Sequence, residues 1–501
     1  MKATCVRFAA VCAIALLTAC GGGSSGGTTS ATTTTPAEPI LQSIALSPVN
    51  PTIPVGTSLQ LVATGTYTDG STKALTTGLI WSTAGGHSSM FTGGLVKGVS
   101  MGSDLVTATL GVVSGSTALT VKGPYIIPAA GGNIVAAGGS HTVVRKADGT
   151  LAGFGSNHSG QLGDGTAVDR VIPTATVDAS NLWTSLSAGD FYTLALRSDG
   201  SIWGWGLNQN GQIGDKSVVD KLAPTQIGTD KKWTVISAGK AHSVGVKSDG
   251  TLWSWGRNFD GQLGDATAVD KTAPIQVLMT PATAGSTTTA TATAADKIWA
   301  LAGAGSNYTV GVKTDNTVYT WGGNERGQLG MGATVSQPIN WPVKLTVLNA
   351  DFKALSISVG NLHVLVIRPD GVLYAWGANE KGQLGIGKVG DENLPVQVNN
   401  HTDWKMVSAG GFHSLAVKVG GTLWSWGANS NGQLGVGTTN DSLLPVQVGL
   451  SRDWVAVYAG KEHSFALKSD GTLWGWGRNY EGQQGNGTMT EKPVLVPTQL
   501  P

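Results

Sequence analysis

Charged residues and cysteines are both scarce in this chain of 501 residues. Asp, Glu, Lys and Arg together make up 13% of the sequence and leave a formal net charge of +1, whereas an average globular chain is roughly 25% charged. Because nucleic-acid binding usually needs a basic stripe, the composition speaks against a nucleic-acid partner. The cysteines are Cys5, Cys12 and Cys20, so the rest of the chain can form no internal disulfide.

Motifs of catalysis and metal binding are missing as well. The sequence has no HExxH motif, no Cys/His pairs at zinc spacing and no Asp-rich calcium loop. We therefore assign no catalytic residue, metal ligand or cofactor, and we expect a protein that is not an enzyme. No sustained helical period occurs beyond the N-terminus, while 73 glycines and 17 tryptophans are typical of short strands joined by tight turns.

The N-terminus has the pattern of an export signal. Lys2 and Arg7 flank the start of an apolar run, Phe8–Leu17, that is too short to span a bilayer as a mature helix. The run leads into LTAC, which resembles the cleavage box of bacterial lipoproteins and ends at Cys20. We predict a signal peptide over 1–19 and a lipid anchor on Cys20 in the bacterial (outer) membrane, with ordinary secretion as the alternative.

Composition divides the rest of the chain into four predicted parts. Residues 20–40 are rich in Gly, Ser and Thr, as in a flexible tether. Alternating apolar and polar residues over 41–122 predict a small β domain. Residues 123–133 have the composition of a Pro/Gly linker, and a repetitive region occupies 134–501.

The β domain carries its own turn and core signals. Asp69-Gly70 favours a tight hairpin, and Trp81 is expected in the core. The segments SIALSP, GTSLQLVATGTYTDGST and GSDLVTATL resemble the bacterial immunoglobulin-like domain of group 2. The resemblance implies a small β-sandwich that serves as a spacer or adhesive module.

From residue 134 onward one unit repeats seven times. It reads G-x2-[HY], then DG-x-[LI]-W-x-WG-x-N-x2-GQLG-x-G, and the aromatic-Gly pair is its tightest anchor. The Asp-Gly favours a hairpin and the following alternation favours a strand. One unit cannot bury its own faces, so the units must stack. The anchoring aromatic residues are Phe154, Trp205, Trp255, Trp321, Trp376, Trp426 and Trp476.

This pattern resembles the regulator of chromosome condensation repeat. The resemblance covers 134–501 and implies an all-β fold, a seven-bladed β-propeller preceded by a small immunoglobulin-like β-sandwich. Tryptophans are expected to fill the gaps between blades. Departures include Phe154 in place of Trp, Asp315-Asn316 in place of Asp-Gly, and Gln484 in place of the leucine of GQLG; none is expected to prevent the fold.

Five of the eight histidines share one register of the repeat, which raises the question of a metal site. Tyr192 and Tyr308 occupy the same register in the second and fourth units. A common packing and hydrogen-bonding role accounts for both residue types, so we predict that the register is structural. Its histidines are His141, His242, His363, His413 and His463.

Function in such propellers is implied to lie in the loops. The two residues before the His/Tyr register vary between units, and the two after the asparagine of N-x2-GQLG form a second variable set. We predict a surface-anchored or secreted bacterial binding protein of the cell envelope that uses one propeller face to bind a protein or glycan. An adhesin or spacer is the alternative. The guanine-nucleotide exchange activity of the family's founding member is less expected, because the leader directs the chain away from a cytosolic GTPase.

Two phenylalanines stand out among the variable pairs, since exposed aromatic residues anchor protein interfaces. Phe191 and Phe412 are therefore candidate anchors, unless they pack into the core between blades. The pairs contain no Trp or Arg, the residues that a photoreceptive relative places there, so photoreception is excluded. The predicted partner-binding face, ringing one mouth of the axis, comprises Asp190, Phe191, Lys240, Asn307, Leu362, Phe412, Lys461 and Glu462.

Overall fold

The computed structural model describes residues 38–54, 58–99, 102–122, 133–279, 298–332, 338–347, 350–490 and 494–500. The predicted signal peptide, Cys20, most of the tether and the linker up to residue 132 lie outside these ranges. Within them, every regular element is a strand except one 3-10 turn, Thr92–Gly94. The predicted all-β fold class is confirmed.

The N-terminal domain consists of ten short strands in three sheets. Trp81 is half-buried and packs against both hydrophobic clusters of the domain, one around Ala63 and the other around Val106. The Asp69-Gly70 turn is present, with Gly70 at φ +80°. The strands are Leu41–Ser47, Thr52–Pro54, Ser58–Gln60, Val62–Tyr67, Thr72–Leu75, Ile80–Ala84, Ser88–Met90, Leu95–Gly98, Gly102–Leu110 and Val113–Lys122.

The repetitive region forms seven four-stranded antiparallel sheets, the blades, each with its strands in chain order. The inner strands are Val135–Ala137, Trp183–Ala188, Trp233–Ala238, Trp299–Ala304, Ser356–Val359, Trp404–Ala409 and Trp454–Ala459. The second strands are His141–Arg145, Tyr192–Arg197, His242–Lys247, Tyr308–Lys313, His363–Ile367, His413–Lys418 and His463–Lys468.

The third strands hold the aromatic-Gly pairs, and they are Leu151–Gly155, Ile202–Gly206, Leu252–Gly256, Val318–Gly322, Leu373–Gly377, Leu423–Gly427 and Leu473–Gly477. The outer strands are Arg170–Ala175, Lys221–Gln226, Lys271–Gln276, Ile339–Lys344, Glu392–Gln397, Ser442–Gln447 and Val494–Gln499. A two-stranded hairpin, Thr346–Val347 with Ala350–Asp351, lies between the fourth and fifth blades.

Each contact between neighbouring blades has its own hydrophobic cluster. The cluster between blades 1 and 2, for example, joins Val143 of blade 1 to Trp183 and Trp205 of blade 2. Six further clusters repeat this arrangement, including one between blades 7 and 1 that closes the ring. The tryptophans of the aromatic-Gly pairs are fully buried, which confirms that tryptophan fills the gaps between blades.

Hydrogen bonds reinforce these contacts at six of the seven blade boundaries. The indole N–H of the tryptophan in each aromatic-Gly pair donates to the backbone carbonyl of a GQLG glutamine in the preceding blade, over 2.8–3.0 Å. Blade 1 has Phe154 at this position and cannot make the bond. Phe154 instead packs edge-on against Phe465 of blade 7, with ring centroids 6.1 Å apart.

The outer strands are protected from pairing with another chain. Every outer strand has proline as its fourth residue, at a position where the ladder with the third strand is interrupted. Proline cannot donate a ladder hydrogen bond, so it blocks strand addition at an edge. These residues are Pro173, Pro224, Pro274, Pro342, Pro395, Pro445 and Pro497.

The antiparallel order of the strands sorts the loops onto two faces. The loop between the inner and second strands and the loop between the third and outer strands leave the same end of each blade. Backbone hydrogen bonds join the two loops, as from Leu207 to Phe191 and from Arg478 to Glu462. We call this end of the propeller the upper face; the opposite end, with the Asp-Gly turns, is the lower face. Both variable sets of the sequence therefore lie on the upper face.

Candidate functional site

The histidine register forms a buried chain of contacts from blade to blade. Each histidine Nε2 lies 2.9–3.1 Å from a Ser or Thr hydroxyl of the next blade, and His463 reaches Thr142 of blade 1 across the ring closure. Each of these hydroxyls in turn donates to the backbone carbonyl of the glutamine of GQLG, or of its equivalent in blade 7, over 2.7–3.0 Å. Because a hydroxyl has one proton to give, Nε2–H must be the donor in the imidazole–hydroxyl bond.

Tyrosine fulfils the same role in two blades. The Tyr192 hydroxyl donates to the carbonyl of His242 over 2.6 Å and lies 2.9 Å from the Ser243 hydroxyl. Blade 5 has Val364 where the others have Ser or Thr. Tyr308 therefore has no hydroxyl beside it, but it donates to the matching carbonyl, that of His363, over 2.8 Å. The hydrogen-bonding role predicted for the register is the one observed.

The register has the electrostatics of a structural site rather than a catalytic one. Burial lowers the pKa of each of its five histidines from an ordinary value of 6.5 to about 3, so the imidazoles are neutral at physiological pH. Nowhere in the described ranges do three or more His, Cys, Asp or Glu side chains group closely enough to hold a metal ion.

The seven inner strands converge on an axial pocket that opens at the upper face. Its volume is about 100 Å³, and its wall consists mostly of the small Ala-Gly or Val-Gly pairs that end the inner strands. Backbone hydrogen bonds link neighbouring loops around it, and the bond from Lys461 N–H to the Gly138 carbonyl, 3.0 Å long, closes the circle. Among the lining residues the ionisable side chains are Asp190, Lys240 and Lys461.

The structure divides the residues predicted for the partner-binding face into two groups. Asp190, Lys240 and Lys461 are first members of their pairs and line the axial pocket. The second members lie one residue further along the loop and do not line it; they are Phe191, Asn307, Leu362, Phe412 and Glu462. The sequence pattern did not distinguish the two positions, because which one points toward the axis depends on the closed ring.

The two candidate phenylalanines differ in exposure. Phe191 is 43% exposed, whereas Phe412 is half-buried, and neither belongs to the clusters between blades. Phe259 and Tyr480, from the second variable set, are 70% and 43% exposed. The upper face thus presents three exposed aromatic side chains, on blades 2, 3 and 7.

Charges on the upper face are distributed unevenly. Arg326 of blade 4 bonds to Glu380 and Asp391 of blade 5, both over 3.0 Å, and Lys381 lies 3.5 Å from Asp441 of blade 6. On blade 7, Glu462 is neutralised by Arg478 at 2.6 Å. By contrast, Lys240 and Lys461 have no carboxylate within 4.0 Å in the part of the chain that the structure describes.

Burial in the pocket raises the pKa of Asp190, and the two lysines act in the opposite direction. All three groups are therefore within electrostatic reach of one another. The pocket contains one desolvated carboxylate and two ammonium groups, a net charge of +1. A net charge of this sign attracts an anionic group.

Family comparisons assign both parts of the chain. Residues 148–196, 199–246 and 249–294 match the regulator of chromosome condensation (RCC1) repeat, and residues 280–501 match the RCC1-like domain. The chain is an RCC1-repeat protein. Residues 40–121 match the bacterial Ig-like domain of group 2, as the sequence pattern indicated.

Curated relatives resemble this RCC1-repeat protein over part of their length. The ultraviolet-B receptor UVR8 of Arabidopsis thaliana is 30% identical over 274 residues, which are 54% of this chain and 47% of the receptor. The X-linked retinitis pigmentosa GTPase regulator of Homo sapiens is 38% identical over 261 residues, 51% of this chain and 24% of the regulator. The chain thus spans less than half the length of either relative. RCC1-like propellers of this kind are binding and regulatory proteins.

Solved structures show the same RCC1 propeller. Yeast RCC1 (Prp20), bound to Kap60, aligns with a TM-score of 0.59 and 20% identity over 70% of this chain and 83% of its own. Human WBSCR16 aligns with a TM-score of 0.59 and 21% identity over 70% of this chain and 92% of its own. At this identity the likeness establishes the fold.

Proposed function

We propose that this RCC1-repeat protein binds a protein partner through the upper face of its propeller, and that the lipidated Cys20 holds it in the bacterial envelope. The observation that carries the proposal is the clustering of Phe191, Phe259 and Tyr480 on that face. Large aromatic side chains exposed on rigid loops supply contact area at small entropic cost, and they dominate protein interfaces.

The other surfaces of the propeller favour this assignment by their own composition. The rim is the line of outer strands, where proline in every blade opposes strand addition. The lower face carries the short turns between second and third strands, most of them Asp-Gly, together with the connections from each outer strand to the next blade. On the upper face, two loops from each blade combine constant backbone geometry with side chains that change from blade to blade, which suits recognition of a specific surface.

The envelope location is supported by sequence alone. The LTAC box ending at Cys20 and the Gly/Ser/Thr-rich stretch to residue 40 match an anchor followed by a tether. With the immunoglobulin-like domain as a spacer, the propeller would extend from the membrane surface. A partner would then be another envelope protein or a secreted one, and the chain would act by binding rather than by catalysis.

A capture experiment with matched variants tests the proposal. The full chain, cross-linked in cells of its source bacterium, is recovered and its partners are identified by mass spectrometry. Replacing Phe191, Phe259 and Tyr480 together by Ala should remove the specific partner while the melting temperature changes little, because these side chains are exposed. Val419→Ala is the control, since Val419 is 70% exposed on the lower face and should retain the partner.

Retention of every partner by the triple variant would contradict the proposal. Loss of a polysaccharide instead of a protein would favour the glycan-binding alternative and overturn the choice of a protein partner. A large drop in melting temperature would show that the aromatic side chains support the fold, and the site assignment would then be wrong.

A further inference from the structure

The charged residues of the axial pocket and the exposed aromatic residues come from the same three blades. Blade 2 supplies Asp190 and Phe191, blade 3 supplies Lys240 and Phe259, and blade 7 supplies Lys461 and Tyr480. Blades 7, 1, 2 and 3 are consecutive around the closed ring. We call the pocket-lining charges and exposed aromatic side chains of blades 2, 3 and 7 the recognition arc.

The remaining blades differ from the recognition arc in the charge that they bring to the pocket wall. Their contributions to the pocket wall are uncharged, and Asn361 is the largest polar side chain among them. In blades 4, 5 and 6, the loops between the third and outer strands are joined from blade to blade by ion pairs, Arg326 with Glu380 at 3.0 Å and Lys381 with Asp441 at 3.5 Å. Charges already paired in this way have less to gain from a partner than unpaired ones.

We infer that the axial pocket takes a carboxylate side chain of the protein partner, held between Lys240 and Lys461, while apolar residues beside that carboxylate rest on Phe191, Phe259 and Tyr480. This inference rests on the proposed function and specifies its chemistry. The preferred segment is an Asp or Glu flanked by large apolar residues.

Three features of the pocket support this occupant. The pocket volume of about 100 Å³ inside a wall of Gly and Ala accommodates a side chain but not a folded element. Lys461 of blade 7 and Lys240 of blade 3 flank blades 1 and 2 around the ring and both line the pocket, so we expect an anion on the axis to lie within reach of both ammonium groups. Hydrogen bonds from two ammonium groups to one carboxylate are charge-assisted, which strengthens them.

Asp190 makes the inference sharply testable, because it acts against an incoming anion. Its carboxylate shares the pocket with the two lysines and supplies the opposing charge. Removing that charge should therefore improve binding of an acidic segment, whereas removing either lysine should weaken it. A merely structural role for these residues would not produce effects of opposite sign.

The probe is the peptide Ac-Leu-Glu-Leu-NH2, with Ac-Leu-Gln-Leu-NH2 as its uncharged counterpart, titrated against the full chain by ligand-observed NMR. The Glu peptide should bind more tightly than the Gln peptide. Lys240→Met and Lys461→Met should each weaken binding of the Glu peptide on the order of tenfold, the effect of losing one hydrogen bond to a charged group. Asp190→Asn should strengthen it. Lys381→Met, the same change on the same face outside the pocket, should leave it unchanged.

Equal affinity for the two peptides, or lysine variants that bind as tightly as the parent chain, would overturn the inference. That result is distinguishable from a failure of the proposed function. If the triple aromatic variant still loses the captured partner while the pocket variants keep it, the upper face binds a protein without using the axial carboxylate site. If the aromatic variant also keeps the partner, both assignments fall.

Discussion

Lowering the pH from 7 to 5 should unfold the propeller, because five buried imidazoles cannot be protonated in place. Each histidine of the register donates its Nε2–H to a Ser or Thr hydroxyl of the next blade. Its Nδ1 has no hydrogen-bond partner among the described residues. A proton added at Nδ1 would thus create a buried charge without an acceptor or counter-ion, which is strongly unfavourable.

The size of the effect follows from the difference between folded and unfolded pKa values. Burial lowers the pKa of each histidine from 6.5 to about 3. Since the unfolded chain binds more protons, this stability is present above pH 6.5 and is lost progressively as the pH falls toward 3. At pH 5 the loss is about 2 kcal/mol for each histidine and about 10 kcal/mol for the five together. Domains are commonly stable by 5–15 kcal/mol, so a loss of this order approaches or exceeds the whole.

Carboxylates do not obscure this window. Asp69, Asp164, Asp215 and several others have a lowered pKa because of hydrogen bonds or ion pairs. A carboxylate with a depressed pKa keeps its stabilising effect well above the unfolded value of 3.8 and loses it progressively below about pH 5. The change between pH 6.5 and pH 5 should therefore report mainly the histidines.

Urea unfolding followed by tryptophan fluorescence, repeated at intervals from pH 8 to pH 5, measures the slope of the free energy of unfolding against pH. Near pH 5.5 the slope should correspond to an uptake of about five protons. His413→Tyr should lower the uptake by one, because Tyr192 already replaces histidine in this register. Tyr192→His should raise it by one, since Ser243 offers the same kind of hydroxyl that Ser464 offers to His413. A free energy of unfolding that stays constant between pH 7 and pH 5 would refute the reasoning.

Three further predictions address closure and anchoring. Phe154→Trp should destabilise the propeller by about 1–3 kcal/mol through overpacking, and Phe465→Val should do so by a similar amount through a cavity. The double variant should recover stability and gain the indole hydrogen bond found at the other boundaries. Additive losses in urea unfolding would show that the two substitutions do not compensate. Deleting 451–501 removes blade 7 and should cause aggregation, because two blade faces lose their partners; a monomeric, cooperatively unfolding product by size-exclusion chromatography would contradict this. Cys20→Ala should release the protein from the membrane fraction, and fractionation identical to that of the parent chain would show that the lipid anchor is wrong.

Local signals in the sequence determined the units of the fold. An Asp-Gly pair closes the hairpin between second and third strands in most blades, and in blade 4 Asn316 replaces its glycine with a positive φ of 68°, as asparagine tolerates. The appearance of His and Tyr in one register predicted a hydrogen-bonding role, because both side chains can donate one hydrogen bond at similar reach. Seven repetitions of the unit, together with the family resemblance, predicted seven blades.

The candidate site depended on contacts that no local pattern contains. Closing the ring decided that Asp190, Lys240 and Lys461 face the axis while their chain neighbours face outward. Folding each blade antiparallel brought Phe259 and Tyr480, more than 40 residues from Phe191 along the chain, onto the same face as Phe191. These are non-local relationships, set by how blades pack around the axis, so the sequence supplied the side chains and only the tertiary structure decided which of them meet.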